Sequence, residues 1–165
     1  MSGELPVRVA LRVDDVGAAA ALNESFGFVP VGVVPGRDGR VVMAILRRGP
    51  LQLLVDALAG IPFADSVREC QTKVGPRGLG VVIGIEVDDV DEAAQRCQAA
   101  GCVLGAGPLD APCGERYVEF EDPNGYAWKF FQLLADPPDD GLHAVADLWF
   151  GPAEPAGGQM VDRSG

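Results

Sequence analysis

Apolar and polar positions alternate strictly in two stretches of the chain. Val7, Val9, Leu11 and Val13 oppose Arg8, Ala10 and Arg12, and Val81, Ile83, Ile85 and Val87 oppose Val82, Gly84 and Glu86. A period of two predicts a strand with one buried face. Each stretch runs into an aspartate pair and then an alanine-rich segment, about 16–27 and about 90–100. An Asp side chain caps a helix by accepting from a free amide of its first turn, and Gly27 and Gly101 suit a left-handed stop. Three short apolar stretches follow each predicted helix. They are Phe28 to Val34, Val41 to Leu46 and Leu51 to Val55 in the first half, and about Cys102 to Leu104, Arg116 to Glu121 and Tyr126 to Gln132 in the second. Gly36-Arg37-Asp38-Gly39, Arg48-Gly49-Pro50 and Asp122-Pro123-Asn124-Gly125 are turn signals between them.

The halves are a duplication. Val13-Asp14-Asp15-Val16 recurs as Val87-Asp88-Asp89-Val90, and in the same register Ala19-Ala20 recurs as Ala93-Ala94 and Gly27 as Gly101. A tetrapeptide, a dipeptide and a glycine in one register mark an internal repeat. Strand, helix and three strands, twice over, predict an α+β protein with modules at 5–58 and 80–134. Residues 59–79, with Gly60, Pro62, Gly75, Pro76 and Gly78, read as an irregular linker. Residues 135–165 read as a partly disordered tail, with an apolar patch at Trp149 and Phe150 that packs on the body, on a partner or at a pocket mouth. The repeat also explains Asp14-Asp15 and Asp88-Asp89 as helix starts rather than acid/base pairs.

Composition narrows the function. The 165 residues carry 24 acidic against 13 basic side chains, a net charge of −11. Such a surface repels phosphate backbones, which argues against nucleic-acid binding. It serves solubility, or draws a cationic ligand at long range. No apolar run reaches the length of a membrane span, and Met1-Ser2-Gly3-Glu4 lacks the start of a signal peptide, so the expectation is a cytoplasmic protein with no membrane partner. Four cysteines, Cys70, Cys97, Cys102 and Cys113, lack CxxC spacing and read as free thiols. Phosphate-loop, dinucleotide, GxSxG and Ser/His/Asp patterns are missing.

The duplicated βαβββ unit, Gly27-Phe28 after the first helix, and Gly114-Glu115-Arg116-Tyr117 leading to Phe120-Glu121-Asp122-Pro123-Asn124-Gly125-Tyr126 resemble the vicinal oxygen chelate superfamily. That superfamily includes glyoxalase I, extradiol dioxygenases, and fosfomycin and bleomycin resistance proteins. The resemblance covers residues 5 to about 134. It implies tandem modules forming a curved mixed sheet, helices on the convex side and a concave ligand cup, usually in a homodimer. It also implies four metal-ligand positions, which fall here on Arg8, Gln52, Val82 and Lys129. Arg8 and Lys129 would repel a cation, Val82 has no donor atom, and Gln52 alone ligates weakly. The only histidine, His143, lies in the tail. The expectation is therefore no metal and no cofactor.

Arg8 and Lys129 either neutralise acids such as Glu86 or Glu119 inside the cup or hold a polar or anionic group of a ligand. Ala10 and Gly84 either leave volume open or pack strands closely. Lys129 and Phe131 share the concave face, and Trp128 and Phe130 the other. By resemblance to bleomycin-binding proteins, Met43 takes the place of an aromatic pocket residue and Cys113 that of a stacking tryptophan. The expected ligand-binding set is Arg8, Ala10, Met43, Gln52, Val82, Gly84, Cys113, Arg116, Lys129 and Phe131. The leading expectation is a metal-free binding protein that sequesters a partly aromatic natural product, as antibiotic resistance proteins do. The alternatives are a metal-independent cyclase, isomerase or lyase of the same fold, with Arg8 and Lys129 stabilising an enolate and Glu86 or Glu119 as base, and a metal-dependent glyoxalase or dioxygenase.

Overall fold

The alternation, the capping aspartates and the repeat all become structure in a computed structural model that describes residues 6–134 and Gly151. The elements run β1 (Val7–Val13), α1 (Val16–Ser25), β2 (Val29–Pro35), β3 (Val41–Arg48), β4 (Leu51–Ala57), α2 (Ser66–Val74), β5 (Val82–Glu86), α3 (Val90–Ala99), β6 (Val103–Asp110), β7 (Glu115–Glu121) and β8 (Ala127–Leu133). Trp149, Phe150 and His143 fall outside the described residues.

Each half forms a four-stranded mixed sheet, in the order β1-β4-β3-β2 and then, by the same rule, β5-β8-β7-β6. The first strand of each module pairs parallel with its last. Such a pairing needs a long crossover, which the helix and the intervening hairpin supply. The predicted caps are in place: Asp15 accepts from the amide of Ala18, and Asp89 from that of Glu92, each at 2.9 Å. Leu11, Val13, Leu53 and Val55 in one module and Ile83, Ile85, Val118, Trp128 and Phe130 in the other face α1 and α3 in one continuous core. This is the α+β, tandem βαβββ arrangement that the sequence predicts.

Two elements depart from the expectation. Residues 59–79 are not wholly irregular, because α2 spans nine of them. The prolines and glycines bracket this helix rather than interrupt it. Asp65 caps its start by accepting from the Arg68 amide at 2.7 Å, and Gly75 ends it with φ of 76°. β6 also runs well past Leu104, carried by register shifts around Gly105 and Gly107-Pro108 that a pure alternation pattern hides.

Phe26, just after α1, joins the modules. Its ring meets Phe120, Trp128 and Phe130 edge-on, with centroids 5.6, 5.9 and 4.9 Å away. The Tyr126 hydroxyl accepts from the Arg12 amide and donates to the Arg12 carbonyl, both at 2.9 Å, so a phenol satisfies the free edge of β1. Arg77 donates to Asp14 in the first module and to the Asn124 carbonyl in the second.

Candidate functional site

Because alternate side chains of a strand point to opposite faces, the residues not committed to the helices share the open face of each sheet. On the first sheet Arg8, Ala10 and Arg12 lie level with Gln52, Leu54 and Asp56, and Met43 lies beyond Asp56 on β3. On the second, Val82, Gly84 and Glu86 lie level with Ala127, Lys129 and Phe131.

Of the four positions that correspond to metal ligands in the resembling family, three are engaged with one another or with a neighbour. Arg8 Nε donates to Gln52 Oε1 at 2.7 Å. Lys129 Nζ donates to Glu115 Oε2 at 2.7 Å and stands 4.6 Å from the centre of the Tyr117 ring. If Lys129 neutralises an acid inside the cup, the sequence offers Glu86 or Glu119. Glu119 is its cross-strand neighbour, but the long side chain runs along β7 over Tyr117 to Glu115 instead. Val82 is open to solvent and offers no donor atom. A guanidinium, an ammonium, an amide and an alkyl group do not fit a divalent ion. Among the described residues, no group of three His, Cys, Asp or Glu side chains is placed to share one.

A cleft of about 470 Å³ opens where the 59–79 segment overhangs the first sheet, and Ala10, Arg12, Asp56, Phe63, Arg68, Arg77 and Tyr126 line it. Arg12 builds one wall. Its guanidinium donates to the carbonyls of Ala57 at 3.0 Å, Ile61 at 3.2 Å and Pro62 at 2.9 Å, and lies 4.1 Å from the Phe63 ring centre. One side chain thus pins the start of the overhang and holds an aromatic ring over the sheet. Gly78 lets the overhang return: its φ is 74°, and a Cβ there would come within 2.6 Å of the Tyr126 ring. Asp56 forms the floor. It is 7% exposed, and its Oδ1 has no hydrogen-bond partner. Burial raises its pKa above the ordinary carboxylate value, and the Arg12 guanidinium opposes that rise. A hollow of about 810 Å³ lies at the end of the same sheet, but its charged lining (Asp14, Asp15, Arg37, Asp38, Arg40) is solvent-exposed throughout.

Of the residues singled out from sequence, Ala10 lines the cleft. Arg8, Gln52 and Met43 share its sheet face, while Val82, Gly84, Lys129 and Phe131 share the open face of the second sheet. Arg116 does not join them. It has the parity of Val118 and Phe120, and its guanidinium is held by Asp91 at 2.7 and 2.9 Å and by Asp110 at 2.6 Å. These two carboxylates raise its pKa further. Cys113 sits in the turn before β7, half-buried, on neither open face. Arg12, Asp56, Phe63, Arg77 and Tyr126 escaped the sequence reading. For Arg12 and Asp56 a signal existed, since Arg12 has the strand parity of Ala10 and Asp56 that of Gln52. For Phe63 and Arg77 there was none, because contacts between distant segments place them.

Among the described residues, no helix is long and apolar enough to cross a membrane. Residues 6–130 match the model of the Glyoxalase/Bleomycin resistance protein/Dioxygenase superfamily. An uncharacterised protein of Mycobacterium bovis is 32% identical over 142 residues, 82% of this chain and 88% of that protein. A counterpart in Mycobacterium tuberculosis has the same identity over 78% of its length. Among solved structures, TioX from a Micromonospora species is 27% identical with a TM-score of 0.58, covering 78% of this chain and 98% of that one. TnmS3, an antibiotic binding protein from a Streptomyces species, shares the fold at a TM-score of 0.55 and 23% identity, over 81% of this chain and 98% of that one. With a duplicated βαβββ unit, paired open faces and this match across both modules, the chain belongs to the glyoxalase/bleomycin resistance protein/dioxygenase superfamily.

Proposed function

We propose that this protein binds and sequesters a small, partly aromatic natural product without a metal ion, in a resistance or self-resistance role. One observation carries the reading. The metal-ligand positions hold the Arg8–Gln52 contact, the Lys129–Glu115 pair and Val82, while on the first sheet a cleft of about 470 Å³ presents Phe63, Tyr126 and the desolvated Asp56. A binding protein needs an apolar wall and a few converging polar groups, and this cleft offers the rings of Phe63 and Tyr126 beside Arg12, Arg68 and Asp56. TnmS3, named as an antibiotic binding protein, lends the reading support at the level of the fold. The remaining expected residues, Arg8, Met43, Gln52, Val82, Gly84, Lys129 and Phe131, would extend the contact over the open faces of the two sheets.

We place a homodimer with this reading. The edge strand β2 exposes Val29, Val31 and Val33 at 65%, 59% and 61%, and such a row of valines on an unpaired edge favours cover by a partner. The solution mass should be twice the 17.2 kDa of one chain, and a monomer by light scattering would remove the partner from the proposal.

Incubation with a panel of cytotoxic natural products (glycopeptide, enediyne-derived and polyaromatic), followed by native and denaturing mass spectrometry, tests the function. The expected result is a retained compound of unchanged mass and unchanged chromatographic retention. A compound altered in either would make the protein a metal-independent enzyme of the same fold, with Asp56 as its first acid/base candidate. Stoichiometric nickel, zinc, manganese or iron in purified protein would overturn the metal-free reading.

A further inference from the structure

Three guanidiniums and one carboxyl line the cleft under the 59–79 segment. Arg12 is tied to carbonyl oxygens, so its charge is not neutralised by an acid. Arg77 is paired with Asp14, which lies outside the cleft. Arg68, exposed on α2, makes no ion pair or side-chain hydrogen bond among the described residues. Asp56 faces Arg12 on β1 and the uncharged Met43 on β3. The Tyr126 hydroxyl is already committed to the Arg12 backbone and does not serve Asp56. The cleft is thus locally positive in a molecule of net charge −11. At separations well inside the Debye length, about 8 Å at physiological salt, the nearer guanidiniums decide what binds.

We propose that the cleft takes the acidic group of an aromatic ligand, a carboxylate or acidic phenol, between the free Arg68 guanidinium and the carboxyl of Asp56, which meets it as a hydrogen-bond donor. The inference rests on the proposed binding function and names what the ligand must carry. With Arg77 balanced by Asp14, the guanidiniums of Arg12 and Arg68 disfavour a cationic ligand there and attract an anion. An anion beside an ionised Asp56 would leave two like charges in one desolvated site, and a single shared proton removes that repulsion. Burial already shifts Asp56 towards its protonated form, and an anion bound beside it shifts it further the same way. The ligand's ring lies against Phe63 and Tyr126.

Titration calorimetry on the full chain with naphthoate, naphthamide and naphthylmethylamine, from about pH 5 to pH 8, reads this directly. Naphthoate should bind tightest, and its Kd should rise about tenfold per pH unit above the Asp56 pKa, the slope for one bound proton. Asp56→Asn, whose amide donates at every pH, should flatten that profile. Arg68→Gln should weaken naphthoate and leave naphthamide unchanged. A flat profile in the unaltered protein, or preference for the amine that Asp56→Asn abolishes, would overturn the proposal. A panel compound that binds equally to both variants and the parent would overturn the acid subsite and leave the binding function standing. If neither the panel nor any naphthyl probe binds, both fall.

Discussion

The carboxyl of Asp56 lies among the buried end of β4, the Arg12 guanidinium and an open cleft, and its Oδ1 has no donor. Leaving such a group buried and unpaired costs about 1–3 kcal/mol. Its pKa is raised in the folded state, chiefly by desolvation. The native protein therefore holds the Asp56 proton to higher pH than the unfolded chain does. Stability from this group is fully present below the ordinary aspartate pKa and is lost as pH rises through the folded value. Asp56→Asn carries no charge at any pH. Its melting temperature should exceed that of the parent at neutral pH, and the gain should vanish as pH falls below the ordinary aspartate range. A gain that persists unchanged in acid would show that ionisation at Asp56 is not its source. Two other charges are spent differently. Arg12 anchors a loop through carbonyls, and Arg116, expected from the sequence among the ligand-binding residues, bridges α3 to β6.

Among the elements, α1 and α3 bury Val16, Ala19, Val90, Ala93 and Cys97 against their sheets, whereas α2 buries no residue at all. Helix stability in proteins comes mainly from such tertiary burial, and segments that lack it open locally at low cost. Amides of α2 should accordingly exchange with deuterium well before those of α1 and α3. A saturating ligand in the cleft should slow α2 selectively, because Arg68, Gln71 and Thr72 of that helix line it. Equal protection of all three helices would count against α2 as the movable wall of the site. The helix caps are the other device at this scale. Removing the Asp89 side chain as Asp89→Ala should cost about 0.5–2 kcal/mol in chemical unfolding, since the Glu92 amide loses its acceptor.

For the molecule as a whole, one core spans both modules, and Phe26 is where they interlock. Its ring follows α1 in sequence and belongs to the Phe120, Trp128 and Phe130 cluster by contact. Phe26→Ala should cost about 3–5 kcal/mol, the usual range for emptying a buried aromatic site. Unfolding of the parent should be one cooperative transition. Two transitions that converge in Phe26→Ala would contradict a shared core. Tyr126 reinforces the junction from the side of the cleft, which makes the site a product of both modules.

The sequence by itself determined the repeat, the helix starts at Asp15 and Asp89, and the faces of β1 and β5. These are local properties: alternation and capping chemistry are fixed by a residue and its near neighbours. The place of the cleft was decided only by tertiary structure. Phe63, Arg68 and Arg77 lie in a segment whose prolines and glycines read as irregular, and they reach the first sheet only because Arg12, Asp14 and Asn124 hold that segment over it. Asp56 looks in sequence like the polar end of an apolar run. It becomes a desolvated acid only when Arg12, Phe63 and the overhang close around it, and burial is a property of the assembled fold that no single stretch of chain contains.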